Sequence, residues 1–177
     1  MINRIKINSA DVILENFKVG QGKIIISDLQ FGSWSFYWGA MGSSIEEFLT
    51  RIDNEYFADK LCANPTSFDA KASVSNVRKH IRENIPHYSF MSAQKEMRIE
   101  IKKLEKSKSE EEFVSSMINL PESIMCYDLS YSEEKEFKSV ISDIFTNEPW
   151  FFIENKPSKE YNYLVELLKA LKIKLKN

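Results

Sequence analysis

Cysteine is nearly absent from this chain. Cys62 and Cys126 are the only two in 177 residues, and His80 and His87 are the only histidines. A four-ligand zinc site would need all four, at spacings unlike those of any finger. Both cysteines are therefore expected as reduced thiols, and no metal is expected. Glycine and proline are scarce too, five of each, which argues against a many-turned β-sandwich and for longer helices. Long apolar runs are missing. Nothing approaches the roughly 20 apolar residues of a membrane span. The first residues, MINRIKINSADVIL, lack the apolar stretch of a signal peptide. A soluble, cytoplasmic protein without membrane contact is the expectation. The chemical motifs are missing as well: there is no G-x-S-x-G elbow, no G-x-x-x-x-G-K-[ST] loop, no G-x-G-x-x-G fingerprint and no Cys-His pair. The balance leans against an enzyme, and no cofactor is called for.

What is present is the balance of a folded protein, 43% hydrophobic and 28% charged, with twelve Phe, seven Tyr and three Trp to build a core. Residues 1–42 read as strands. In SWSFYW, Trp34, Phe36 and Trp38 alternate with Ser33, Ser35 and Tyr37, the period of a strand with one covered face. After Gly42 the period turns helical, with Ile45, Phe48, Leu49 and Ile52 on one stripe behind Ser43 and Ser44. Asp53 and Asn54 restart a helix that buries Tyr56, Phe57 and Leu61. Further helices are predicted over 68–84, from Ser92 to about 107, from Ser109 to Pro121, from Ser132 with Phe137, Val140, Ile141 and Ile144 inward, and from Ser158 with Leu164, Val165, Leu168 and Leu171 inward. The fold class is α+β: a small N-terminal antiparallel β-meander of three or four strands followed by six or seven α-helices. KSKSEEE at 106–112 is the best candidate hinge. It would separate an α+β unit (1–107) from a helical C-terminal unit (108–177), packed together as one compact domain.

Charge is segregated along the chain. Residues 71–108 hold ten Lys or Arg against four Glu, a net +6, whereas 109–166 hold four Lys against thirteen acids, a net −9. Lys71, Arg78 and Arg82 fall on one helical line; Lys95, Arg98 and Lys102 fall on another. Paired as a hairpin, these helices would form a patch that attracts phosphates; left apart, they are two solvated faces. No aromatic residue interleaves with them, as single-strand binders require. In the acidic half, SEEE and SEEKE suit helix starts, but Asp143, Glu148, Glu154 and Glu160 lie beyond that explanation. Clustered carboxylates on a helical scaffold can also occupy a basic groove meant for nucleic acid.

The stretch WGAMGSS lies between strand and helix, where glycines can cradle a phosphate. No lysine follows Gly42, so a mechanical role is preferred: Gly39 and Gly42 turn the chain with unusual dihedrals, and Trp38 and Met41 plug the corner. The block Tyr37-Trp38-Gly39-Ala40-Met41-Gly42, continued by Phe48, Asp53, Tyr56 and Leu61, resembles a segment that recurs in small proteins of bacteriophages and prophages. The resemblance covers residues 18–61. It implies an accessory protein of a mobile element, working in a bacterial cell.

With the charge split, this leads to an expected phage or prophage protein that binds a macromolecule. In its sharpest form it inhibits a host or anti-phage defence nucleic-acid machine, as anti-CRISPR-like inhibitors do. The partner would be a protein or nucleoprotein, met by Glu133, Glu134, Glu136, Asp143 and Glu148. The alternative is a nucleic-acid-binding protein using Lys71, Arg78, Arg82, Arg98 and Lys102. A third reading is a nucleotide-binding protein or enzyme using the 38–44 corner.

Overall fold

Alternating apolar residues build the first four strands, β1 (Ile2–Ile7), β2 (Ala10–Asn16), β3 (Gly22–Asp28) and β4 (Gly32–Trp38), which pair in sequence order as one antiparallel sheet. The computed structural model describes residues 1–84, 91–126 and 129–176. The register sets Val12 opposite Ile26, Leu14 opposite Ile24, and Ile26 opposite Trp34, so a single face collects the large side chains. On that face Val12, Leu14, Ile24 and Ile26 are fully buried. Trp34 and Trp38 are buried as expected, and Phe36 packs at the edge of the same cluster.

Eight α-helices follow among the described residues: α1 (Ile45–Arg51), α2 (Asn54–Leu61), α3 (Ala70–Asn84), α4 (Met91–Lys103), α5 (Glu110–Ile118), α6 (Leu120–Ser123), α7 (Tyr131–Thr146) and α8 (Lys159–Lys176). The α+β architecture is as expected; the extra helix is the single turn α6, which starts with Pro121 near its N-terminus. Two short strands, β5 (Thr66–Phe68) and β6 (Asn155–Pro157), form a second, two-stranded sheet.

The chain divides into two compact units. The first comprises Met1–Ser67 and Pro157–Asn177, the second Phe68–Lys156. The division therefore runs at 67/68 and 156/157 and not at 107/108, and KSKSEEE lies inside the second unit. In the first unit Ile45 and Leu49 of α1, Phe57, Ala58 and Leu61 of α2, and Leu164, Leu167, Leu168 and Leu171 of α8 join the sheet's cluster. Asp28 ties α8 to the sheet. Its carboxylate accepts from Ser9 Oγ at 2.6 Å and Tyr163 OH at 2.9 Å, and from the amides of Gln30 and Phe31. Trp34 Nε1 donates to Glu160 at 2.5 Å, and Tyr163 stacks on Phe31.

The second unit has its own core, in which Val77, Ala93, Phe113, Met117, Ile141 and Phe145 are fully buried. Two expected boundaries shift. Ser130, not Ser132, caps α7: its hydroxyl accepts from the Glu133 amide while the Glu133 carboxylate accepts from the Ser130 amide. The carboxylate must stand three residues after the cap, and Glu133 does so only for Ser130. Helix α4 begins at Met91, ahead of Ser92. Tyr56 and Val140, expected inside, are 39% and 37% exposed, because each sits at the margin of its helix's apolar stripe.

Candidate anion-binding groove

Helix α3 is anchored at its start. Asp69 accepts from the amides of Lys71 and Ala72 at 3.1 and 3.2 Å. The Ala72 bond, then the nearby Lys156 ammonium, holds its carboxyl below the ordinary range. The fully buried Ser73 donates its hydroxyl to the Asp69 carbonyl and accepts from the Glu154 amide, both at 2.9 Å. Glu154 in turn accepts from Asn76 at 2.7 Å. With the helix fixed and Val74 and Val77 turned into the core, the 3.6-residue period brings Arg78, Ile81 and Arg82 to one side.

Helix α4 turns Ala93, Met97 and Ile101 inward, which carries Lys95, Arg98, Ile99 and Lys102 to its outer surface. Between the two helices lies a groove of about 710 Å³. Its described cations are Arg78, Arg82, Lys95, Arg98 and Lys102, and no carboxylate is among its described lining residues. Its apolar lining residues are Ile81, Met97, Ile99 and Ile101. All five cations are exposed. Only Arg78 has an ion-pair partner among the described residues, Glu105 at 3.2 Å. Four uncompensated cations on one groove raise the local anion concentration and attract a polyanion.

Four of the five residues expected to contact nucleic acid, Arg78, Arg82, Arg98 and Lys102, thus come together; Lys71 lies outside the lining, near the start of α3. Lys95 shares the groove, as its helical line indicates. Gln94 and Ile99 had no signal in the charge pattern, since a partly exposed isoleucine reads as ordinary surface. His80 stands with its ring edge-on to Phe152 at 5.2 Å, a packing role. His87 lies outside the described residues.

The acidic set is divided. Glu133 is engaged in the α7 cap, and the Ser130 hydroxyl, then the Ser130 amide, lowers its carboxyl below the ordinary value. Glu134 pairs with Lys138 at 2.9 Å. Glu136, Asp143 and Glu148 are exposed and have no ion pair among the described residues. Glu136 and Asp143 lie seven residues apart, on one side of α7.

The 38–44 corner is filled by the chain itself. The Met41 amide donates to the Gly20 carbonyl at 2.7 Å, and the Ile45 amide to Asn16 Oδ1 at 2.8 Å. Asn16 also donates to Glu46, and Arg51 to the Ser43 hydroxyl. Trp38 and Met41 are 6% and 7% exposed. Gly42 has φ +74°, whereas Gly39 has an ordinary negative-φ backbone, so one glycine and not two makes the turn. No cluster of three or more metal-ligating side chains occurs among the described residues. Cys62 and Cys126 are free and buried. No described helix is long and apolar enough to cross a membrane.

A family model described as a phage family, phage phiTE_072, matches residues 1–177. No curated protein and no solved structure matches the chain.

Proposed function

The chain belongs to this phage family, and we propose that it is an accessory protein acting by binding a polyanionic macromolecule along the α3–α4 groove. One observation carries the reading: five cations from two helices line one groove, and among the described residues no carboxylate lines it and four of the five have no ion-pair partner. Concentrating like charge on a surface costs self-repulsion, a cost that an anionic partner relieves. In a phage setting, the polyanions within reach are nucleic acids and the acidic faces of the proteins that handle them. Interference with a host or defence nucleic-acid machine is the role this proposal assigns.

The test uses heparin, duplex DNA, single-stranded RNA and polyglutamate as probes at several salt concentrations. If all five cations meet phosphates of duplex DNA, log K against log salt should fall with a slope of about −4 to −5. Arg82→Glu/Arg98→Glu should abolish binding of every probe, while Lys71→Glu should leave most of it. Failure of wild-type protein to hold any polyanion at low salt would refute the reading, and so would unchanged binding by the double variant. The acidic side of α7 is the second reading, supported by the exposed Glu136, Asp143 and Glu148. A cationic peptide retained by wild type but not by Glu136→Lys/Asp143→Lys would favour it.

A further inference from the structure

The apolar side chains of the groove narrow the partner. Ile99 is 45% exposed and stands among Lys95, Arg98 and Lys102 on the same helical face. Ile81 faces the groove from α3, and Met97 and Ile101 line it more deeply. A groove that took only phosphates would have no use for an exposed isoleucine among its cations. A duplex presents stiff, evenly charged backbones that ride on cationic ridges. A single strand buries its bases against aromatic rings, and none of the described residues lining the groove is aromatic.

The rims also differ from those of a site for one small anion. Arg78 and Arg82 lie on the α3 side; Lys95, Arg98 and Lys102 lie on the α4 side. Along α4 the three cations span about 10 Å at 1.5 Å per residue, about two helical turns. Cations on both helices with Ile81 and the exposed Ile99 among them match in chemistry a helix that carries apolar and carboxylate side chains together on its docking face. Such helices dock through anchors at i, i+3 or i+4, and i+7, while the flanking charges set orientation and exclude other partners.

We infer that the groove takes an acidic amphipathic helix of a partner protein, its apolar side chains seated on Ile81 and Ile99 and its carboxylates against the cations of α3 and α4. This rests on the groove being an anion site, and deepens it. The experiment separates the two claims. A set of fluorescent helical peptides of about four turns carries Leu, Ile, Met or Phe at i, i+4 and i+7 with Glu on both flanks. Polyglutamate, a duplex and a single-stranded oligonucleotide run beside it.

At least one peptide should bind more tightly than polyglutamate and than either oligonucleotide. That affinity should fall about tenfold or more in Ile99→Ser, since an apolar anchor loses its seat. It should vanish in Arg82→Glu/Arg98→Glu. Polyglutamate binding should be nearly unchanged in Ile99→Ser, which also shows that this variant is folded. If no peptide exceeds polyglutamate, or if Ile99→Ser leaves peptide affinity intact, the partner assignment is overturned and the anion site stands. Tighter, Ile99-insensitive binding of an oligonucleotide gives the groove to nucleic acid. Absence of salt-dependent binding to every probe removes the site itself.

Discussion

Gly22 sits where β3 passes beneath the aromatic corner, and it has no room for a methyl group. A Cβ built there would lie 2.8 Å from Met41 Cε, 2.9 Å from Ile45 Cβ and 3.1 Å from the Glu15 carbonyl. The first neighbour can swing away, because it ends a flexible chain. The second cannot: Ile45 is fully buried and its Cβ moves only with the backbone of α1. Overpacking of this kind costs about 1–3 kcal/mol. Against it, alanine lowers the entropy of the unfolded chain and stabilises by about 0.4–1 kcal/mol where the backbone is compatible. Gly22 has no positive φ, so that gain is available in full. The clash wins, and Gly22→Ala should destabilise the first unit by about 1–2 kcal/mol. For a chain of this size that lowers Tm by about 2–8 °C. Urea unfolding followed by tryptophan emission reports it, because Trp34 and Trp38 are buried in the first unit while Trp150 of the second is 54% exposed. A Trp150→Phe background isolates the signal. The midpoint should fall with the slope unchanged. An alanine variant as stable as the parent would refute the reasoning, because it would mean that α1 is free to retreat.

Other outcomes follow from the same contacts. The Ser9 hydroxyl, ahead of the Gln30 amide and Tyr163, brings the Asp28 carboxyl down to about 2 from 3.8. A lowered folded value stabilises above the unfolded one, so this contribution should be intact above about pH 4 and lost as pH falls toward 2. In urea midpoints measured from pH 5 to 2, Asp28→Asn should lie below wild type at pH 5 and converge with it at the acid end. Burial, with help from Asp28, pushes the Tyr163 hydroxyl up to about 12. Stability should therefore decline between pH 10 and 12, and Tyr163→Phe should flatten that decline in thermal melts. Ser130→Ala removes the hydroxyl half of the α7 cap and leaves the backbone amide to Glu133; it should cost the second unit about 1 kcal/mol, read as a shift in its urea midpoint, and Ser132→Ala should cost much less.

Local patterns were legible to the extent that their physics is local. SWSFYW showed a one-sided strand because alternation needs no partner to define it. Ser44, Asp53, Ser109 and Ser158 were readable as helix starts because a cap acts within three residues. Ser130 was missed in favour of Ser132, although the three-residue spacing to Glu133 was available. Two of the four acids left over by the capping argument required distant neighbours. Glu154 accepts from Asn76 and Glu160 from Trp34, bonds across 78 and 126 residues that no spacing rule reaches.

The residues themselves determined which face of each strand and helix is apolar, where the caps fall, and that cations and carboxylates occupy separate halves of the chain. These follow from backbone periods of 2.0 and 3.6 and from one-turn hydrogen bonds. Tertiary structure alone decided that α8 returns to complete the first unit and that the cationic lines of α3 and α4 meet in one groove. Both depend on how helices pack against one another, and that is set by the summed fit of many side chains, not by the period within any one element.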